Sequence, residues 1–388
     1  SAGLGWNIHN ESFVTSSKID ILKIRGSLGY TGKVNFSPFQ AMTMYQFSGD
    51  LEYLNGIGAV PQGIGNEDLG WERELSYNLG TDISLFDRRL NFTFDIYLKK
   101  TTDLVLDASR APSTGTTSAK ENIGEMENKG LEFQVDGMLV QRNDFYWQVA
   151  ATGSMNRNRI LKINNALKKA NEDANKVDSK TPLAQYEEGE STTALKVVKS
   201  AGVDPATGQE VFIKLNGERT FEYSADDKFV IGDTEPRFRG TVSTNLLYKG
   251  FSLYLLGRYE CGAYLYNETR ATKVEGANPK KNADKRVFDS RWKNPGDIAF
   301  YKDIADSDGW GTNPKHSDRF VEKENVFTLG TVNFGYEFRP NICSKIGVRN
   351  LRVGVNLTDI VRWSNVKIER GTTYLYSNGF EFTLSTTF

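Results

Sequence analysis

The sequence predicts an all-β protein, an antiparallel transmembrane β-barrel with long loops at one end. Three observations predict it. Apolar and polar side chains alternate through much of the chain, very short turns alternate with long charged stretches, and the final strand keeps one apolar face to its last residue. In "GFEFTLSTTF", Phe380, Phe382, Leu384, Thr386 and Phe388 fall on one side, and Glu381, Thr383, Ser385 and Thr387 on the other. A period of two is the signature of a strand. Soluble domains tend to end in frayed polar residues, so such a strand needs an apolar surround up to its end.

The same alternation recurs upstream. "LSYNLGTDISLF" places Leu75, Tyr77, Leu79, Thr81, Ile83 and Leu85 on one face. After the tight connection Phe86 to Arg89, "LNFTFDIYLKK" does the same with Leu90, Phe92, Phe94, Ile96 and Leu98. A second hairpin turns at "QRND", with Leu131, Phe133, Val135 and Leu139 followed by Phe145, Trp147, Val149, Ala151 and Met155. A third turns at Lys249-Gly250, a fourth runs through "RPNICSKIGVRN", and Leu22, Ile24, Leu28 and Tyr30 alternate near the start. The other ends of these hairpins are long stretches at about 105–129, 157–235 and 266–325. Loops of that length count against a sandwich and fit the outer-membrane pattern of short turns on one side and long loops on the other. Within them "RILKINNALKKANEDANK" predicts a short helix, and "ALKVVKSAGVDPATGQEVFI" a small hairpin turning at Asp204 to Gly208.

Composition excludes several classes. The chain has 388 residues, 12% of them aromatic, and a net charge of -1, which gives no electrostatic reason to expect nucleic acid. No apolar run of about 18 residues exists, so no helix spans a membrane; the mean hydropathy of -0.48 does not argue against barrel strands, whose two faces average out. Cys261 and Cys343 fit no metal spacing, and two free thiols are the plainer reading than a disulfide. The opening "SAGLGWNI" lacks an initiator Met and a signal peptide, so the chain reads as processed, clipped or cut from something longer.

No motif points to catalysis, a cofactor or a metal. "GSLGYTGK" at Gly26 to Lys33 misses the phosphate-loop spacing and has no helix signal after it. "DIADSDGWGTN" has the wrong acidic spacing for a calcium loop. His9 and His316 stand far apart, with no nucleophile arrangement around either. The candidates for ligand contact are Trp292, Tyr301 and Trp310, with Phe300 and the charges of Arg291, Lys293 and Lys302 nearby. Flat rings can stack on sugar rings or peptide side chains; packing the loop against its neighbours is the competing role for each.

Taken in order, several stretches resemble one family, the SusC/RagA-type TonB-dependent transporters of the Bacteroidetes outer membrane. They are "LGWNIHNESF", "LKIRGSLGYTG", "GNEDLGWERELSYNLGTDISLFDRRLNFTFDIYLKKTTDLVL", "NIGEMENKGLEF", "GVDPATGQ", "RWKNPGD", "SDRFVEKENVFTLGTVNFGYEF" and "LRVGVNLTD". The ending, with Phe380, Phe382, Leu384 and Phe388, resembles the family's barrel-assembly signal. The resemblance implies that residues 1–388 are the C-terminal portion of a 22-stranded barrel, roughly a dozen strands, with the plug domain outside this chain. The stretch between Asp359 and Gly379 is shorter than in many relatives. A part-barrel with two open edges cannot stand alone in lipid, so another chain or a preceding portion must complete it.

The resemblance further implies a non-enzymatic importer of nutrient oligomers, oligosaccharides first and oligopeptides as the alternative. Its partners would be the plug-bearing N-terminal part, a SusD-like surface lipoprotein as lid, TonB acting through the missing part, and outer-membrane lipid. A dimer of transporter–lipoprotein pairs is also admitted. The long loops would be extracellular and the C-terminus periplasmic. Two other classes share some features: a passive porin needs no lid or plug, and a secreted all-β glycan-binding protein or enzyme would bury its apolar face between sheets.

Overall fold

Alternating side chains, short turns and strands long enough to cross a bilayer assemble into one continuous ladder. The computed structural model describes residues 1–387 apart from 35–36, 38–41, 54–55, 64, 110–117, 164, 178, 279, 281, 306–313 and 368–376. The wall begins with β1 (Ala2–Asn7) and β2 (Ile19–Lys33). A separate hairpin, β3 (Met44–Tyr53) and β4 (Gly56–Gly63), intervenes before β5 (Glu72–Leu85), β6 (Leu90–Ser109), β7 (Ser118–Arg142) and β8 (Phe145–Ile163). Helix α1 (Asn165–Lys176) leads to four short strands: β9 (Ala194–Val203), β10 (Glu210–Ile213), β11 (Arg219–Thr220) and β12 (Lys228–Asp233). The wall resumes with β13 (Phe238–Tyr248), β14 (Phe251–Tyr266) and β15 (Val321–Glu337), then α2 (Pro340–Lys345), β16 (Asn350–Ser364) and β17 (Gly379–Thr387).

Eleven strands form the wall in the order β1-β2-β5-β6-β7-β8-β13-β14-β15-β16-β17, each antiparallel to its neighbour. β9 to β12 make a separate sheet in the order β11-β10-β9-β12. All five connections at one end are short: 8–18, 86–89, 143–144, 249–250 and 338–349. Lys249 and Gly250 both have positive φ, 48° and 92°, the mirror-image turn whose twist matches that of a hairpin. Gly26 to Lys33, the phosphate-loop lookalike, is simply the end of β2.

The ladder puts like faces together. Leu79 lies opposite Ile96, Ile96 opposite Leu131, Leu246 opposite Leu253, and Val355 opposite Phe382. This apolar face is not covered by the chain itself: Leu79, Ile96, Val242, Phe334 and Phe382 are 43–60% exposed. Two rows of aromatic side chains bound it. At the short-turn end stand Phe145, Tyr248, Phe251 and Tyr336, with the Phe251 and Tyr336 rings 4.5 Å apart. At the other end stand Phe133, Phe238, Tyr259, Phe327 and Trp363. Tyr248 and Phe238 are the two row members on β13; that stretch at ~3.3 Å per residue and a strand tilt of ~40° spans about 25 Å, the height of a barrel's apolar band. Two glycines admit the upper row: a Cβ on Gly153 would meet the Phe133 ring at 2.4 Å, and one on Gly240 the Tyr259 hydroxyl at 2.5 Å. Phe327 and Tyr336 share a face despite their odd separation because β15 is bulged at Gly330, where the register shifts between Leu329 and Thr331.

The opposite face is polar and cross-linked. Arg25 of β2 pairs with Asp82 at 3.2 Å and Asp95 at 2.6 Å. Ser84, Asn91, Asp136, Gln148 and Tyr146 form a chain of hydrogen bonds across four strands.

The structure shortens the expected long stretches. β6 runs to Ser109 and β7 starts at Ser118, so most of 105–129 is strand, while β8 continues to Ile163 and β15 begins at Val321. The alternation fades there because a strand beyond the apolar band has no reason to keep one side apolar. What holds these extensions is polar: Asn122 Nδ2 donates to the carbonyls of Gly70 and Asp103, its Oδ1 accepts from Gly70 N, and Glu72 accepts from Val105 N. Cys261 and Cys343 are free thiols, and the helix and small hairpin appear as α1 and the β9–β10 pair.

A charge in the apolar band tests the assignment of faces. Val242→Arg should cost about 2–4 kcal/mol of folding stability in lipid vesicles, whereas Asn245→Arg on the polar face should cost less than about 1. Urea titration of the vesicle-inserted barrel separates the two.

Candidate functional site

At the end away from the short turns, the segments between β8 and β13 and between β14 and β15 fold into a lobe with its own core. Phe320, Val197, Val198, Val274, Val287 and Ala271 are at most 1% exposed. The centre is ionic. Arg319, in the 3₁₀ turn Asp318–Phe320, meets two carboxylates at once: its Nε and one terminal nitrogen donate to Glu210 at 2.8 and 2.7 Å, and both terminal nitrogens donate to Glu275 at 2.9 and 2.8 Å. The guanidinium also donates to the Phe300 carbonyl at 2.5 Å. All three charged side chains are about 5–6% exposed. Burial opposes the Arg319 charge, but the field of Glu275 and the bonds to Glu210 outweigh it and hold its pKa above the ordinary value.

A second arginine ties carbonyls together. Arg291 donates to the backbone oxygens of Val287, Val274, Glu275 and Lys302. Burial lowers its pKa, and Glu275 and Asp303 counter that.

Trp292 and Tyr301 lie inside this lobe, 8% and 7% exposed. Trp292 Nε1 donates to the Pro205 carbonyl at 2.8 Å, and its ring fills the space where a Cβ on Gly208 would be 2.5 Å away. Gly208 also has φ 74°, so glycine is required there twice over. The Tyr301 hydroxyl accepts from Arg270 Nε at 3.2 Å. Both rings pack the lobe; Trp310 and most of "DIADSDGWGTN" fall outside the described residues. Phe380, Phe382 and Leu384 lie on the exposed apolar face of β17, and Phe388 falls outside the described residues.

The open polar feature of the lobe is a cleft of about 480 Å³ beside α1. Asn171 and Asn175, one turn apart on α1, face the segment 185–190. Asn171 donates to the Tyr186 carbonyl and accepts from its amide, while Gln185 donates to Asn175. Lys196, 5% exposed, is held by Glu187 at 2.6 Å and Glu190 at 2.7 Å. Lys228 donates to Asn175 Oδ1 at 2.9 Å; burial lowers its pKa, Asp226 opposes that, and Lys196 adds to it. Lys168, Glu172, Glu188 and Asp226 also line it. Amides and carboxylates of this kind can bind a polyhydroxylated or peptide ligand. Nothing in the sequence flags the cleft, because its members come from a helix, a loop and a strand edge. Among the described residues no cluster of His, Cys, Asp or Glu could hold a metal ion, and no helix is long and apolar enough to cross a membrane.

Comparison with known proteins bears on the wall and the lobe together. The family described as "TonB dependent receptor-like, beta-barrel" matches residues 1–188. A TonB-dependent receptor of Formosa agariphila is 26% identical over 412 residues, covering 93% of this chain and 38% of its own length. The TonB-dependent receptor SusC of Bacteroides thetaiotaomicron is 25% identical over 356 residues, covering 87% and 34%. The structure of the RagAB peptide transporter superposes with a TM-score of 0.78 at 21% identity, covering 94% of this chain and 40% of that one. The chain is similar over nearly its whole length to part of the β-barrel of TonB-dependent receptors of the SusC/RagA type. The RagAB importer in its open-open state superposes with a TM-score of 0.78 at 20% identity, covering 100% of this chain and 42% of that one. This chain spans under two fifths of the length of these curated relatives.

Two outcomes test the lobe. Arg319→Met leaves two buried carboxylates without their cation, and should destabilise the lobe by about 3–5 kcal/mol. Limited proteolysis should then cut within 190–320 while the heat-modifiable migration of the barrel stays normal. Burial pushes the Tyr223 phenol from 10.0 up to about 12, against the pull of the His316 backbone. A raised phenol pKa favours the protonated, folded form, so the stability Tyr223 adds should be complete below pH 10 and lost as pH rises towards 12. Phenolate absorbance should report a midpoint near 12 for this residue, and protease resistance of the lobe should fall over the same interval.

Proposed function

We propose that the chain forms wall and ligand-side lobe of an outer-membrane importer of nutrient oligomers, with oligosaccharides as its cargo. The observation that carries this is the wall itself: an apolar face about one bilayer high between two aromatic rows, backed by a cross-linked polar face. A wall of that kind separates lipid from an aqueous passage. β1 and β17 each pair on one side only, so further strands would close the barrel around a plug contacted by TonB. The lobe would stand outside the cell, where a SusD-like lipoprotein could cover it, and the short turns would lie in the periplasm. The chain does no chemistry in this reading. Phe380, Phe382 and Leu384 would serve barrel assembly, while Trp292 and Tyr301 would act through the shape of the lobe.

Asn171, Asn175 and Gln185 beside Glu172 and Glu188 support a sugar, whose hydroxyls both donate and accept. Oligopeptide cargo is the second reading, favoured by the fold shared with the RagAB peptide transporter. The relatives named as TonB-dependent receptors argue against a passive porin.

The test uses the complete assembly extracted from its membrane, with all accompanying chains identified by mass spectrometry. Calorimetric binding of mixed oligosaccharides should be saturable and should weaken about tenfold or more in Asn171→Ala with Gln185→Ala, because buried polar partners lose their bonds. Binding of peptides alone would transfer the proposal to the second reading. Release of the folded chain into plain buffer without detergent would sink the membrane reading.

A further inference from the structure

Just beyond the lower aromatic row the surface becomes basic. Residues 8–18, 86–89, 142–144, 249–250 and 337–352 carry nine Lys and Arg against four Asp and Glu, in a chain whose net charge is -1. All nine cations are exposed. Among the described residues none of the nine is in an ion pair, whereas Arg25, Arg319 and Arg362 elsewhere are tightly paired. Any fixed counter-charge for them comes from outside the described chain.

The depth of these groups identifies its chemistry. Arg142 lies opposite Phe145, and Lys249 directly follows Tyr248, with its Nζ 5.2 Å from that ring's centroid. At ~3.3 Å per residue the backbone of Arg142 is therefore level with the aromatic row and that of Lys249 about 3 Å past it, where long cationic side chains reach the headgroup layer that borders the hydrocarbon. A cleft of about 460 Å³ between the hairpin tips is lined by Arg142 and Lys249 beside Tyr248 and Phe251, and by Asp144, Glu337 and Arg352, the last two a register pair on the polar face. On the aromatic side of the wall stand Arg142, the register partner of Phe145, and the Lys249 ammonium over the Tyr248 ring.

We propose that this rim binds anionic phospholipid of the leaflet at the short-turn end. The headgroup phosphate sits on Arg142 and Lys249, and the acyl chains lie along Phe145, Tyr248, Phe251 and Tyr336. Arginine matches phosphate oxygens two at a time, and the aromatic row keeps the tails parallel to the wall. The bound lipid completes the ionic pairing that the rim lacks. This rests on the bilayer placement of the wall, which the detergent-extraction result tests separately.

The experiment uses the complete transporter in detergent, titrated with phosphatidylglycerol or phosphatidylcholine in mixed micelles and read by native mass spectrometry. Phosphatidylglycerol should bind saturably and raise the melting temperature. The double variant Arg142→Gln with Lys249→Gln should bind it at least tenfold more weakly, each surface cation being worth about a fivefold factor. Arg142→Lys, which keeps the charge, should retain most of the binding, and unchanged heat-modifiable migration of every variant confirms an intact barrel. Equal binding of phosphatidylcholine, or full binding by the double variant, overturns the proposal. So does the same stabilisation by inorganic phosphate alone, which makes the rim a free-anion site. If neither lipid binds above background, the cations serve an acidic protein instead, and the lipid assignment is wrong.

Discussion

A backbone amide facing hydrocarbon has no water to bond, so every one must find its partner within the protein. The rest of this structure follows from that constraint. Eleven strands satisfy it with a continuous antiparallel ladder, and the ladder then dictates which residues share a face. Because the period is two, a one-residue slip anywhere would turn a whole strand inside out. The bulge at Gly330 manages one such slip and returns Phe327 to the side of Tyr336. Gly153 and Gly240 meet a different demand of the same ladder: directly opposed large rings need an empty neighbour.

The distribution of burial is the inverse of a soluble domain. Few large apolar residues of the wall are buried, while the most deeply buried aliphatics collect in the lobe. The wall relies on its surroundings for the hydrophobic term; the lobe supplies its own. At the lobe's centre stands a charge cluster that burial alone would oppose. Arg319 is tolerable there because all five of its donors can be engaged, by two carboxylates and a carbonyl. The Arg291 guanidinium, spread over four carbonyls, adds the compensating positive charge near Glu275.

The wall was legible in the sequence because lipid on one face and water on the other impose alternation, and nothing else in the chain needs it. The turns at Phe86 to Arg89 and Lys249-Gly250, and the apolar set of the last strand, could be read residue by residue. Legibility ended where the band ended: β6 and β7 continue with polar side chains on both faces, held by Asn122 and Glu72. Those two residues stood out only as part of a resemblance, and the structure supplies the physical reason. The same is true of "GVDPATGQ" and "RWKNPGD". They meet in space, where Trp292 bonds Pro205 and Gly296 N donates to the same carbonyl at 2.7 Å. The rings at 292 and 301 suggested ligand platforms because aromatics in a charged loop look exposed on paper; a loop with its own core buries them. The cleft beside α1 could not be read, since contacts between distant segments leave no local pattern.

The Arg319 cluster also constrains how such proteins diversify. Glu210 belongs to the insertion after β8, whereas Glu275 and Arg319 belong to the one after β14. Trp292 joins the same two insertions again, packing on Gly208 and donating to the Pro205 carbonyl. A recombination that exchanged one of them would strand a buried charge and leave a ring without its glycine. In this chain the two insertions are therefore a matched pair, and a chimera drawn at a single loop boundary would carry half of a lock.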